Sequence, residues 1–485
     1  SSHSGSEDDG HAAPLLTPCP ESAVPRCRWW KWNLYPFACA TLASMTTVLM
    51  GYSFAVMSGA ELFIREDLGL TDAQTEVLTG CMNLYMLLPI LAAGWAVDLL
   101  GRRGALLLAN AFLVAGALSM SLGRSYAALL AARFVTSVGV GLSLVVAPVY
   151  NAEISPASTR GVLCSLLDVF INAGILLGYV SNYAFADLPV HLGWRVMYAA
   201  GVLPPVLVAA GVLAMPESPR WLAMRGRYAH ARAVLSRTSD TLAEADLRLE
   251  EIKRAASVTA VPGSTRDDNG TWTELLVRPT AVVRRILVCV VGLQFFQEAS
   301  GIEAVVLYSP LVFKRAGMSS SSDRAVLGAT VSVGAVKTLS ILVATSLSDR
   351  LGRRPLLLAS TAGVAVAMAS LAASLWLGAT SACVASVLAF VVAFSVGFGP
   401  LVPAYGAEVL PLRLRAQGTS VGTAVGRLVS AAVSMTFISL AGAITMPGCF
   451  LLYAGVAAAA FVFVYTRLPE TRGRSLEDMV VLFAK

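Results

Sequence analysis

The chain has 485 residues, of which 56% are hydrophobic and 14% charged, with a formal net charge of +6 and a mean hydropathy of +0.69. Soluble proteins carry about a quarter charged residues, so this composition excludes a soluble enzyme. The excess of positive charge comes from scattered loop arginines, which excludes a nucleic-acid surface. Apolar runs recur between residues 37 and 467. Each approaches the roughly 20 residues that a bilayer-spanning helix needs, and none alternates as a porin strand would.

In chain order, residues 1–32 are polar, contain proline and acids, and lack the apolar stretch of a signal peptide, so a flexible tail is expected. Hydropathy predicts spans over 37–59, 77–97, 104–122, 127–148, 163–184 and 194–215, and then over 285–311, 325–347, 355–377, 382–404, 416–441 and 448–466. The expected organisation is a first bundle over 33–215, a linker over 216–283, a second bundle over 284–468 and a terminal segment over 469–485. Within the linker, AEADLRLEEIKR (243–254) has the pattern of an amphipathic helix. The eight cysteines have no metal-binding spacing. Cys39, Cys81, Cys164, Cys289 and Cys383 fall in spans, where a thiol acts as a small hydrophobe.

Basic residues fall on one side of this layout. Arg26, Arg28, Lys31, Arg102, Arg103, Arg220, Arg225, Arg227, Arg232, Arg237, Lys253, Arg350, Arg353, Arg354, Arg413, Arg415, Arg472 and Arg474 all occupy loops of the same parity. The first opposite loop carries Glu61, Glu66, Asp67, Asp72 and Glu76 against Arg65. Cytoplasmic loops collect Lys and Arg, so both termini are expected in the cytosol.

The chain also repeats itself. DLLGRR at 98–103 returns as DRLGRR at 349–354, YNAEISP at 150–156 as YGAEVLP at 405–411, and PES at 216–218 as PET at 469–471. Arg160 is echoed by Arg415. Near-constant offsets in the same order imply two halves of six helices, an architecture of transporters with a midplane site. The repeated charges, Asp98, Arg102, Arg103, Glu153, Arg160, Glu217, Arg220, Asp349, Arg353, Arg354, Glu408, Arg415, Glu470 and Arg472, are candidates for a cytosolic gate that bridges the halves when the inner mouth shuts. Each such pair is worth about 0–1 kcal/mol, so only a network biases a state.

The seventh span is unusual. Around FFQEASGIEAVVLYSP (295–310), Gln294, Gln297, Glu298 and Gly301 share a helical face, with Glu303 beyond. Polar groups in a span face the bundle interior. Amides both donate and accept, which matches hydroxyl groups. Interhelical hydrogen bonding, worth about 0.6–2 kcal/mol each, is the competing use. Three further charges lie in spans. Asp168 is expected to cap the fifth helix or join the cytosolic network, Lys337 to pair or snorkel, and Arg427 to need a partner near mid-membrane. The sequence contains no hydrolase triad, metal cluster or phosphate loop, so neither catalysis nor a cofactor is expected.

The motifs GRR at 101–103 and 352–354, PESPRWL at 216–222 and PETRGRSLE at 469–477 resemble those of the sugar porter family of the major facilitator superfamily. Over 170–182, 214–222 and 299–310 the chain is most similar to plant polyol/monosaccharide transporters. The resemblance implies an all-α membrane fold of twelve helices in two six-helix bundles with a cytosolic helical linker. It also implies a monomer in the plasma membrane, with the vacuolar membrane as alternative. The expected activity is transport of polyols or monosaccharides by alternating access, typically with protons. It points to Gln297, Ile302, Tyr179 and Asn172 as substrate contacts, with Pro403 where a tryptophan is usual and Gly426 where an asparagine is. Glu298 replaces the second glutamine of the family pair. Ser53 replaces the acid that normally faces Arg133, and a serine cannot titrate. Three readings remain open: a symporter whose acid has moved to Glu298 or Glu303, a uniporter with Arg133 held by neutral groups, and a non-transporting sensor. A multidrug exporter would want a broader, apolar and aromatic pocket.

Overall fold

The computed structural model describes residues 34–156, 160–259, 278–318, 323–410 and 414–470. Expectations for the tail, for Arg413 and for 471–485, including Arg472, lie outside these residues, as do the side chains of Arg160, Cys164, Asp349 and Arg415. The described residues form α1 (Leu34–Leu68), α2 (Asp72–Tyr85), α3 (Leu87–Leu122), α4 (Tyr126–Ile154), α5 (Arg160–Ala184), α6 (Val190–Ala200) and α7 (Leu203–Ala214). Three linker helices follow: α8 (Pro219–Met224), α9 (Tyr228–Thr238) and α10 (Leu242–Thr259). Next come α11 (Ala281–Ala299), α12 (Ile302–Arg315), α13 (Asp323–Leu351), α14 (Arg353–Trp376) and α15 (Thr380–Ala393). A π-turn at Phe394–Phe398 leads into α16 (Gly399–Val409), α17 (Arg415–Ile444) and α18 (Met446–Arg467).

Local chemistry explains where these helices start and break. Thr71 and Gln74 form a reciprocal capping box at α2, and Ser125 and Thr280 cap α4 and α11. Eleven described segments are long and apolar enough to cross a membrane. One of them, Asp72–Leu122, has 51 residues and holds two crossings that meet at Gly101, whose φ of 80° no helix contains. That makes twelve, matching the predicted spans. The sixth crossing is interrupted between α6 and α7, the seventh at Gly301 and the tenth at the π-turn. Hydrocarbon tolerates such breaks only where protein or a cavity satisfies the freed backbone.

The sequence repeat is reproduced atom by atom. Arg102 donates twice to Glu153, each at 2.9 Å, while Arg353 donates from two nitrogens to Glu408 Oε1 at 3.1 and 3.0 Å. Glu217 accepts from the backbone N–H groups of Arg102 and Arg103, and Glu470 from those of Arg353 and Arg354. Tyr150 donates to the Pro216 carbonyl at 3.0 Å and Tyr405 to that of Pro469 at 3.1 Å. These contacts all lie at the end of the bundle where α1 begins and α18 ends, hereafter the terminal end. Gly101 and Gly352, with φ of 80° and 93°, open the backbone so that the acid can reach the following N–H groups. The linker docks on the first half: Trp221 and Arg225 donate to the Asp98 carbonyl, and Arg248 to those of Glu153 and Ser155. Arg220 is exposed.

Arg102, Glu153 and Glu217 make these contacts within the first half, and Arg353 makes those with Glu408 and Glu470 within the second. Contacts between the halves are seen at the far end. Tyr308 on α12 donates to the Ser434 carbonyl within the second half, which positions α17. Against that edge, Ser439 of α17 donates its backbone N–H to Glu76 of α2 at 2.7 Å, and its hydroxyl to the other carboxylate oxygen. Arg324 pairs with Asp187 at 2.6 Å and stands over the Tyr183 ring, and Tyr179 donates to the Val306 carbonyl at 2.7 Å. These contacts hold the halves together at the far end.

A Cβ on Gly101 would stand 2.5 Å from Glu217 Oε2 and force a left-handed alanine. Gly101→Ala is expected to destabilise the protein by about 1–3 kcal/mol, read as a lower melting temperature in detergent. An unchanged melting temperature would show that the turn does not need glycine.

Candidate functional site

A cavity of about 480 Å³ occupies the space between the halves. Its walls come from α1, α3, α4 and α5 in one half and from α11, α12, α13, the π-turn, α16 and α17 in the other. Of the expected substrate residues, Gln294, Gln297, Glu298, Ile302, Glu303, Asn172, Pro403 and Gly426 line it.

The broken seventh crossing sets this geometry. Gly301 adopts φ 88°, and a Cβ there would meet the Tyr453 ring at 2.7 Å. Gly301 itself does not line the cavity; it is the hinge that lets Glu298 and Glu303, on either side of the break, face the same space. Both hydrogens of the Gln297 amide are engaged, with the Phe398 carbonyl at 2.9 Å and the Gly399 carbonyl at 3.0 Å. The π-turn frees carbonyls and Gln297 satisfies them, so two interrupted helices are stitched by one side chain. Ser430 donates to Glu298 at 2.7 Å. Gly426 leaves room for two neighbours, since a Cβ there would stand 2.9 Å from Gln294 Oε1 and 3.6 Å from Glu298 Cγ.

Asn172 and Ser395 also belong to the lining. Asn172 Oδ1 and Ser395 Oγ are buried with no hydrogen-bond partner among the described residues, while Asn172 Nδ2 donates to the Asp168 carbonyl at 2.7 Å. A buried polar atom without a partner costs about 1–3 kcal/mol. Tyr179, expected to touch substrate, does not line the cavity; its hydroxyl is engaged by Val306 and its ring packs against α13.

Charge converges here more than expected. Asp168, Lys337 and Arg427 all line the chamber with Glu298 and Glu303. Asp168 does not cap α5, because it sits two turns inside that helix. Lys337 and Arg427 face the same space, and Glu298 packs against Gly426 and Ser430, on the helix that carries Arg427. None of the five forms an ion pair with another among the described residues. Three carboxylates and two cations around a wet void suit a ligand rich in hydroxyl groups, which can donate to the former and accept from the latter.

Arg133 lies outside this chamber, 1% exposed. It donates to the carbonyls of Leu78 at 3.2 Å, Ser53 at 3.4 Å and Thr79 at 3.5 Å. No carboxylate touches it. Neutral backbone oxygens therefore hold the guanidinium in place of the missing first-span acid.

Sequence reasoning missed two acids. Glu61 and Glu76 read as members of an acidic loop, yet each is 2% exposed, because α1 runs on to Leu68 and α2 begins at Asp72. Glu61 accepts from Thr79 at 3.1 Å, beside Arg133. Glu76 closes the far end. A signal existed: Glu76 falls four residues after Asp72, past the capping box, on the helix face shared with Gly80. Replacing Glu76 by Ala removes an acceptor worth about 1.5–3 kcal/mol. A cysteine placed at buried Ser434 should then react severalfold faster with a membrane-impermeant maleimide added from the far side. Unchanged labelling would show that Glu76 is not the latch.

A family model described as Sugar (and other) transporter matches residues 39–483. Polyol transporter 5 of Arabidopsis thaliana is 49% identical over 500 residues, covering 99% of this chain and 92% of that protein. Among solved structures, the inward-open xylose transporter XylE from E. coli superposes with a TM-score of 0.79 at 24% identity, covering 92% of this chain and 100% of that one. The proton:xylose symporter XylE bound to 6-bromo-6-deoxy-D-glucose gives 0.75 at 25% identity over 93% and 100%. The match spans nearly the whole chain at high identity, with the same all-helical membrane architecture: the chain belongs to the sugar transporter family of the major facilitator superfamily.

Proposed function

We propose that the protein is a secondary transporter that carries polyols and monosaccharides across a membrane by alternating access. The observation that carries this reading is the chamber between the halves, whose lining includes the amide residues Gln294, Gln297 and Asn172 and the carboxylates Glu298 and Glu303. A site that hydrogen-bonds hydroxyls discriminates strongly against analogues lacking them. The relatives are named for polyols, and a structural neighbour for xylose and protons. Residues 33–215 and 284–468 are taken as the two moving bodies and 216–283 as the linker. The basic, terminal end is assigned to the cytosol by its arginines, and the plasma membrane is the expected location. In that orientation the chamber serves the inward-facing step of the cycle. The protein is taken to work as a monomer.

Proton coupling requires a carboxylate that meets substrate, and Glu298 holds that position, with Glu303 beyond the break. A second reading, facilitated uniport, is favoured by the neutral cradle of Arg133, whose guanidinium contacts are with backbone carbonyls and the Met82 sulfur.

The test is uptake of labelled sorbitol, inositol and glucose by proteoliposomes, with and without a proton gradient. Uptake of at least one is expected; none by folded protein would leave the sensor reading. Gln297→Ala should raise KM about five- to thirty-fold, through the loss of about 1–2 kcal/mol of hydrogen bonding, and an unchanged KM removes Gln297 from the site. Glu298→Gln should abolish substrate-evoked current while counterflow persists. Current that survives assigns the proton elsewhere, and no current in the native protein selects uniport.

A further inference from the structure

A second cavity, of about 570 Å³, lies at the terminal end between α11, α14 and α18. Its walls carry Arg284, Arg285, Arg354 and Arg467 and, among the described residues, no acidic one. Arg354 donates from Nη2 to the Tyr465 carbonyl at 2.7 Å, and its guanidinium stands 5.8 Å from the Tyr465 ring. Its Nε is buried and without a partner among the described residues. Arg284 and Arg467 form no ion pair among the described residues. The carboxylate of Glu470 is held by the N–H groups of Arg353 and Arg354.

This accumulation of charge runs against local electrostatics. Arg284 lies in the first turn of α11, with Arg285 next to it, and Arg354 in the first turn of α14. A helix N-terminus already carries partial positive charge, and cations there are disfavoured. Topology does not explain it either, because the internal repeat supplies a control. Aligned on the ProGlu pairs at 216 and 469, Ala214 occupies the place of Arg467 and Val212 that of Tyr465. Arg103 is the counterpart of Arg354, and Lys31 falls at the place of Arg284, while Trp32 stands at that of Arg285. The tendency of one membrane side to collect arginine acts on both halves alike, yet Arg285 and Arg467 have no basic counterpart in the first half.

The cavity also has an apolar rim. Tyr465 is 62% and Val288 47% exposed, where the bundle meets lipid at the level of the helix ends. Basic pockets between spanning helices, floored by arginine and rimmed by apolar side chains, hold phosphate headgroups. Arginine matches phosphate in a bidentate fork.

We propose that this cavity binds the phosphate-bearing headgroup of an anionic phospholipid drawn from the leaflet on the terminal side. The chemistry recognised is a phosphate with at least one negative charge; the acyl chains run out over Val288 and Tyr465. The occupant bridges α11, which carries Gln294 and Gln297 two to three turns farther along, to α14 and α18.

The test uses the full chain purified in detergent. Short-chain phosphatidylinositol, phosphatidylglycerol and phosphatidylcholine are titrated while the melting temperature is followed, and native mass spectrometry counts retained lipid. The anionic lipids should raise the melting temperature saturably, and phosphatidylcholine should not. The double variant Arg284→Gln/Arg467→Gln should bind roughly ten- to thirty-fold more weakly, at about one contribution per arginine lost. Arg284→Lys/Arg467→Lys should keep most of the affinity, and intact sugar counterflow in both variants checks folding. Equal affinity in native and glutamine variants, or an equal response to phosphatidylcholine, would overturn the site. Competition by inorganic phosphate at the lipid's own effective concentration would overturn the bilayer as its source.

Discussion

Hydrocarbon offers no partner to a polar group, and this one constraint orders the whole molecule. Every amide, hydroxyl and charge in a spanning segment must find protein or a water-filled space. Five ionisable side chains and several amides in the spans can be accommodated only if the two halves enclose such a space. The interrupted helices obey the same demand. The break at Gly301 faces the chamber, and the π-turn of the tenth crossing finds the Gln297 amide. Transport chemistry and the solvation of the backbone are therefore not separate problems here. The groups that make the chamber sugar-friendly are the groups lipid would reject.

The repeat divides labour between the two ends. At the terminal end each half closes a matching local lock of arginine, acid and a left-handed glycine. At the far end the halves meet through single contacts that are not repeated, such as Glu76 with Ser439 and Arg324 with Asp187. A two-state machine needs bonds that can be exchanged between ends, so modest contacts at each serve better than strong ones. The matching locks hold each half rigid, and the unlike contacts decide which mouth is shut.

Much of this was legible from residues alone. Twelve spans and the two-fold repeat followed from hydropathy and from three repeated motifs, because a spanning helix has little freedom in composition, but the edges around the first loop did not: α1 runs to Leu68 and α2 begins at Asp72. The polar face at Gln294, Gln297 and Glu298 was visible for the same reason: lipid makes any amide in a span conspicuous. What escaped was depth and direction. Glu61 and Glu76 sit in a stretch polar enough to pass for a loop, and only the length of α1 shows that both are buried. Tyr179 lies one turn from chamber-lining Ile175, yet its hydroxyl is engaged by Val306, since a residue's angle about its helix decides more than its neighbourhood. Asp168, Lys337 and Arg427 could be placed in spans but not beside one another, because their proximity comes from tertiary packing of α5, α13 and α17.

The double engagement of Gln297 has a mechanical corollary. A primary amide has two hydrogens, and both are already tied to the Phe398 and Gly399 carbonyls. In this arrangement the side chain can offer an incoming sugar its oxygen alone. A ligand that claims the nitrogen as well must loosen the rivet between the seventh and tenth crossings, so recognition at that depth and slippage of the tenth helix become a single event.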